Sequence, residues 1–348
     1  MRKTSTRDIA NLAGVSQATV SYVLNGRQDQ SISDQTRRRV LDAATRLRYR
    51  PNRLASGFFG GRSSMIGVVF PCVDSSFFGR LLFGIQEVCL EYDSVSILSF
   101  TQTDPQQEQR AVDQMLEHRV DGLLMVSGVY TGMWFDDVRT ESIPCVLLDD
   151  RTHAATYDVV ASDDVAGAKN AVEYLIGLGH RRIGMLGYNS PLTPVRDRRI
   201  GYEAALREAG LEVEPGIYLE CEWDETPEGY GTLLFDLIDR YAPTAFFAAT
   251  DYHAHDFIKA VHQRGLRVPE DFSVIGYSDT ELGTGLNLST VRQDAVAMGS
   301  TAATRLFERI ASQDRERCEI LMPTELVVRG SCCSPQAKGV LAGVGGKQ

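Results

Sequence analysis

From Met65 to about residue 330, short apolar runs alternate with longer amphipathic stretches, and this alternation constrains the fold more than any other feature of the chain. The runs read MIGVVFP, VSILSF, GLLMVS, PCVLLDD and VVASDD, then RIGMLGY, TAFFAAT, FSVIGYSD and TELVVR. Near-continuous apolar runs suit strands buried on both faces, and helical stretches between them suit parallel crossovers. Segments 64–149 and 180–278 each hold several such units. They predict an α/β core of two Rossmann-like subdomains facing one another across a cleft. Ligands of open α/β sheets bind beyond the carboxyl ends of the strands, which such a cleft gathers together.

The first 62 residues have a different character. They carry 12 Lys and Arg against 4 Asp and Glu, whereas the whole chain is at −10, so a basic head precedes an acidic body. That asymmetry suits a polyanion-binding module attached to something else. Ser5 followed by Asp8 predicts a capping box, with Ile9, Ala10, Leu12 and Ala13 as the apolar face of a first helix. Gly14 supplies the left-handed residue that ends it, Ser16 caps a second helix QATVSYVLN, and Ser33 caps a third. In the third helix Val40, Leu41, Ala44 and Leu47 are expected to face inward. Two short helices joined by such a turn form an all-α helix-turn-helix, whose second helix enters the major groove of DNA.

The stretches TRDIANLAGVSQATVSYVLNG and ISDQTRRRVLDAATRLRYRPN closely resemble the headpiece of LacI/GalR-type repressors. The resemblance continues through GHRRIGMLG, GYEAALREAGL, RGLRVPEDFSVIGYSDTEL, STVRQDAVAMG and MPTELVVRGS, whose family core is similar to periplasmic binding proteins. It implies a helix-turn-helix domain over 1–50, a hinge over 51–62 and an effector-binding and dimerisation core over 63–330. The core subdomains are expected at 63–160 with 292–321 and at 161–291 with 322–330. Residues 331–348, Gly-rich and without periodicity, are expected to be a disordered tail.

The resemblance also assigns candidate residues. Gln17, Ala18 and Tyr22 are the implied base readers: Gln pairs with adenine, and Ala contacts a thymine methyl. Tyr22 stands where Arg is common in the family, and its hydroxyl suits a base or a phosphate equally. Ser5, Thr6, Ser16, Thr19, Ser21, Asn25 and Arg50 are the implied backbone contacts. In the hinge Phe58 takes the position of the minor-groove wedge, with Leu54 and Ala55 one turn earlier; the alternative is a flexible linker. For the effector, the resemblance and the strand ends point to Phe77, Phe78, Asp149, Asp163, Arg198, Thr250, Asp251, Ser278, Asp279 and Gln293. A helix N-cap is the competing role for each of the acids. Thr250 stands where sugar-binding members often have Asn, and Ser278 where they often have Asp.

The expected function is a DNA-binding transcriptional regulator, a homodimer on a pseudo-palindromic operator, controlled by a small molecule such as a sugar or nucleoside. Control by a partner protein, a cytoplasmic sugar-binding protein and an enzyme are the alternatives. No GxSxG, Walker loop, HExxH or GxGxxG occurs in a supporting context, so neither catalysis nor a cofactor is expected. His253 and His255 lie two apart, on different faces of a helix, which disfavours a metal pair. Seven scattered cysteines without a CxxC pair suggest reduced thiols. No apolar run approaches the roughly 20 residues of a membrane span. The amino terminus also lacks the apolar core of a signal peptide, so a cytoplasmic location is expected.

Overall fold

The computed structural model describes residues 4–24, 32–49, 62–72, 75–126, 137–138, 142–221, 227–312 and 316–335. The chain divides into two units, Met1–Ser63 and Ser64–Gln348.

In the first unit, helices α1 (Thr6–Ala13), α2 (Gln17–Leu24) and α3 (Asp34–Arg46) enclose a small core of Ile9, Ala10, Ala13, Val20, Val23, Val40, Ala43 and Ala44. The capping box at Ser5 and Asp8 is formed in both directions, and Gly14 ends α1 with φ 65°. Ser16 Oγ accepts from the Thr19 amide at 3.1 Å, and Ser33 Oγ from the Thr36 amide at 3.3 Å. Each cap satisfies an amide that the helix leaves without a carbonyl partner. Two expected core positions are corrected: Leu12 and Leu41 are exposed. At 100° per residue each lies more than a quarter turn from the centre of its helix's buried face, and the small side chain of Ala43 takes the inward place on α3.

Among its described residues the second unit holds two six-stranded sheets. Its elements run β1 (Met65–Phe70), α4 (Ser76–Glu91), β2 (Val95–Phe100), α5 (Pro105–Glu117), β3 (Gly122–Met125), β4 (Cys145–Leu148), β5 (Asp158–Ser162), α6 (Asp164–Gly177), β6 (Ile183–Tyr188) and α7 (Thr193–Glu208). Then come β7 (Tyr218–Cys221), α8 (Pro227–Tyr241), β8 (Ala245–Ala248), α9 (Asp251–Gln263), β9 (Ser273–Ser278), α10 (Glu281–Gly285), β10 (Ser289–Gln293), α11 (Ala295–Ala311), β11 (Glu319–Met322) and β12 (Thr324–Val327). The sheet orders are β11-β5-β4-β3-β1-β2 and β12-β10-β9-β8-β6-β7. Every pairing is parallel except β10 with β12. The chain therefore passes from the first sheet to the second after β5, back after β10, and over again after β11.

The two lobes repeat one plan. Asp163 and Asp294 follow the strands β5 and β10 and cap α6 and α11 with nearly the same backbone angles, φ −75° and ψ 77° against φ −79° and ψ 77°. Both α4 and α7 are 16-residue helices. Gly84 in α4 and Gly201 in α7 occupy the same place along them, and a Cβ at either would overlap the backbone carbonyl of Val296 or Val165. These glycines let α4 close on α11 and α7 on α6, which brings the start of each crossover helix to the mouth of its sheet.

Three strands escape the apolar pattern. Strand β10 reads STVRQ yet is largely buried, because its serine, threonine and glutamine hydroxyl and amide groups are hydrogen-bonded. Strands β7 and β11 lie at or beside sheet edges, where one flank needs no apolar run. Among the described residues no helix is long and apolar enough to cross a membrane.

Candidate functional site

On the first unit, α2 turns Val20 and Val23 into the core and leaves Gln17, Ala18 and Ser21 exposed, with Thr19 and Tyr22 half-buried. Ser5 and Ser16 are the caps of α1 and α2, and Thr6 opens α1. Cap hydroxyls sit at helix amino termini, where backbone amides favour an anion. Asn25, Arg50, Leu54, Ala55 and Phe58 lie outside the described residues.

In the second unit the strand ends of the two lobes gather a polar cluster, buried at Asp164, Arg198, Tyr277 and Gln293 and half-buried at Asp149, Tyr188, His253 and Ser278. Arg198, on α7, donates from Nε to Asp164 Oδ1 at 2.9 Å and from Nη1 to the Ala249 carbonyl at 2.8 Å. Its guanidinium lies 3.9 Å above the Tyr277 ring. Burial works against the charged guanidinium, yet Asp164 and the neighbouring Asp149 hold its pKa above the ordinary range. Burial also pushes Asp164 upward, and Arg198 draws it back. Asp149 follows β4 with φ 68°, a left-handed conformation that Asp tolerates better than most residues. Its Oδ1 is buried and makes no hydrogen bond. Burial first, and Asp164 second, push the Asp149 carboxyl up to about 7.

Around this centre, Tyr188 at the end of β6 stacks on His253 of α9, with centroids 5.4 Å apart. Burial pushes Tyr188 up to about 12 and His253 down to about 4, so both are neutral near pH 7. Gln293 bridges the lobes: its Nε2 donates to Ser162 Oγ at 2.9 Å while its Oε1 accepts from Ser278 Oγ at 2.9 Å. A second set of bonds joins the lobes beside Asp149. Asp150 accepts from the Thr193 amide and hydroxyl at 3.0 and 2.8 Å, and Arg151 links Asp197 at 2.5 Å to Glu319 at 2.6 Å.

The remaining expected residues hold structural positions. Phe77 is buried in the first lobe's core, edge-on to Phe78 at 5.5 Å, because the second position of α4 faces the sheet; Phe78 is half-buried beside it. Asp163 caps α6 through the Ala166 amide at 3.0 Å. Asp251 accepts from the Thr280 amide, the Thr280 hydroxyl and the Thr290 hydroxyl at 2.7, 2.8 and 2.6 Å, and is fully buried. Thr250 caps α9 and its hydroxyl also meets His253 Nδ1 at 2.7 Å. Asp279 is held below its ordinary range by Arg329 and Arg292, at 2.6 and 2.7 Å, although burial alone would raise it. Asp149, Arg198, Ser278 and Gln293 therefore come together, and Asp163, Thr250, Asp251 and Asp279 brace the elements that carry them.

Asp164, Tyr188, His253 and Tyr277 were not among the expected effector residues. Tyr188 and Tyr277 were accessible as the polar ends of otherwise apolar strands. Asp164 was hidden behind Asp163: once the first of two adjacent acids caps a helix, the second begins it, and only the tertiary packing shows that it turns inward. Among the described residues no group of three or more His, Cys, Asp or Glu could hold a metal.

Comparison with known proteins agrees with this architecture. Residues 5–52 match the family model for bacterial regulatory proteins of the lacI family, and residues 172–332 match that for a periplasmic binding protein-like domain. The HTH-type transcriptional regulator DegA of Bacillus subtilis is 32% identical over 338 residues, spanning 94% of this chain and 98% of its own. The HTH-type transcriptional repressor PurR of Pasteurella multocida is 31% identical over 331 residues, covering 93% and 97%. Among solved structures, the Lac repressor dimer bound to operator and the anti-inducer ONPF matches with a TM-score of 0.80 at 26% identity, over 95% of this chain and all of that one. The transcriptional regulator CelR in complex with cellobiose matches at 0.71 and 25%, over 94% and 100%. A capped helix-turn-helix, a two-lobed parallel α/β core and full-length similarity to these regulators together establish that the chain belongs to the LacI family of bacterial transcriptional regulators.

Proposed function

We propose that two copies of the chain pair through their cores and place two helix-turn-helix units on a pseudo-palindromic operator, with occupancy set by a sugar- or nucleoside-type metabolite in the interlobe cleft. The carrying observation is the cluster of buried Arg198 and Gln293 with half-buried Asp149 and Ser278, which draws on both lobes. A ligand bonded to groups of both lobes changes how the lobes sit, and a coupling of about 1–3 kcal/mol alters operator affinity roughly 5- to 150-fold. The protein acts by binding and not by catalysis.

Pairing through the core is supported by an apolar surface along α4 and the edge strand β2. Phe83, Leu90, Tyr92, Val95, Leu98 and Phe100 are all exposed there. An apolar edge strand left open invites aggregation, and burial against a second copy removes that liability. On DNA, Gln17, Ala18 and Tyr22 read bases. Ser5, Thr6, Ser16, Thr19, Ser21, Asn25 and Arg50 hold the backbone, and Leu54, Ala55 and Phe58 open the minor groove at the centre.

The test begins with selection of an operator from random DNA. Gln17→Ala should lose about 1–3 kcal/mol of discrimination at one base position. Phe58→Ala should weaken the selected site while sparing non-specific DNA, and equal loss on both would remove the wedge assignment. A thermal-shift screen against sugars, nucleosides and purine bases then tests the effector. A ligand at 100 times its dissociation constant adds about 2.7 kcal/mol. Silence across the panel favours control by a partner protein.

A further inference from the structure

The two lobes contain an internal control for the chemistry of the cleft. The sixth residue of α4 is Leu81 and the sixth of α7 is Arg198; the first residue of α11 is Ala295 and the first of α6 is Asp164. Leu81 and Ala295 belong to the apolar core of the first lobe. The same helix pairing thus closes with hydrocarbon in one lobe and with a buried ion pair in the other. Apolar replacements of buried ion pairs commonly match or exceed their stability, so packing alone gives no reason for the pair.

Its consequence lies in the cleft. Asp164 pairs with Arg198 and neutralises it, and among the described residues Arg198 is the cation that acts most on Asp149. The groups that face Asp149 are Asp150 beside it, Asp164 from α6, Arg198 from α7, Tyr188 from β6 and Gln293 from β10, with Tyr277 from β9 and His253 from α9 against Arg198. Acids outnumber the cation, and Asp149 Oδ1 is buried without a hydrogen bond. An acceptor so placed costs free energy until a donor reaches it.

We propose that the effector donates a hydrogen bond to Asp149 Oδ1 with release of the Asp149 proton to solvent, so that its affinity rises with pH, and that Asp164, by neutralising the charge of Arg198, makes the cleft reject phosphate- and carboxylate-bearing ligands. This rests on the cleft being the effector site. The proton balance is simple. In the empty protein, burial and Asp164 keep Asp149 protonated up to about 7. On binding, the Asp149 O–H breaks and its proton passes to buffer, while the ligand keeps its own O–H or N–H and shares it with the carboxylate. A bonded donor favours the ionised acid.

The experiment is calorimetric titration with D-glucose, D-ribose and adenosine, each beside its phosphate monoester, in buffers of different ionisation heat. At least one neutral member should bind about tenfold more tightly at about pH 8 than at about pH 6, with a proton released. Its phosphate partner should bind at least about tenfold more weakly, because like charge beside Asp149 disfavours the anion. Asp149→Asn should abolish the pH dependence, and Asp164→Asn, which frees Arg198, should admit the phosphate partner. The Asp149 carboxyl carbon, followed by NMR in the empty protein, should titrate far above the ordinary aspartate range. A pH-independent affinity, equal binding of the phosphate, an ordinary Asp149 titration, or no binding by any pair overturns the proposal. Operator release is measured with the same ligands. Release by an anion or by a pH-independent ligand leaves the effector reading standing and removes this inference; tight, proton-releasing binding that leaves operator affinity unchanged does the reverse.

Discussion

The first lobe closes its α4–α11 helix pair around Leu81 and Ala295, and the second closes the equivalent α7–α6 pair around Arg198 and Asp164. Strand order, crossover caps and close-approach glycines are otherwise shared. One scaffold therefore carries either filling, and the lobe with the charges is the one that presents Arg198 to Asp149 across the cleft. The difference separates what the fold requires from what the ligand requires. Glycines and caps recur in both lobes because geometry demands them, whereas the ion pair appears once.

The shared features should fail alike, and with the largest effect. Gly84→Val and Gly201→Val each drive a side chain into a backbone carbonyl that cannot move without separating the helices. Each should cost more than about 4 kcal/mol, read as loss of the core's thermal transition. Because Met1–Ser63 is a separate unit, helical signal from the head should survive. A lobe that tolerates valine would break the equivalence.

The unshared feature should fail next. Arg198→Leu alone strands Asp164 in a buried site and should cost about 3–5 kcal/mol in denaturant unfolding. Leu81→Ala, its counterpart, should lose about 2–5 kcal/mol through a cavity, with no change in the pH dependence of stability.

A smaller effect concerns pH. Asp149 has its folded pKa raised from 3.8 to about 7, so the folded chain holds a proton that the unfolded chain has released. The stability this provides is complete below the unfolded value and is lost as pH rises through 7. Native protein should lose about 2 kcal/mol more than Asp149→Asn between about pH 5 and pH 7, measured by urea unfolding. Smallest of all, Asp163→Ala and Asp294→Ala should each cost about 1 kcal/mol, and by similar amounts, since the two caps share one geometry.

Much of this plan was legible in the sequence. Gly14, Ser5 with Asp8, Ser16 and Ser33 mark the head's helices because caps and left-handed turns are local requirements. Leu12 and Leu41 misled because an apolar side chain near a helix face is not always on it. The α/β core was legible from its apolar runs, while β10 was not, since its hydroxyls and amide are satisfied by distant partners such as Asp251 and Ser162. At the site, Asp149 and Arg198 were accessible from strand ends and family resemblance. Asp164 was not, because its partner lies 34 residues away and its neighbour Asp163 already accounts for an acid at the helix start. Asp251 and Asp279 show the converse. Acids at strand ends resemble ligand groups, yet both are consumed by protein donors.

The most direct test is the double substitution Asp164→Ala with Arg198→Leu, which writes the first lobe's filling into the second. Its unfolding free energy should stay within about 1 kcal/mol of native and its operator affinity unchanged, while every ligand response is lost. A double variant as unstable as Arg198→Leu alone, or one that still responds to effector, would contradict this expectation.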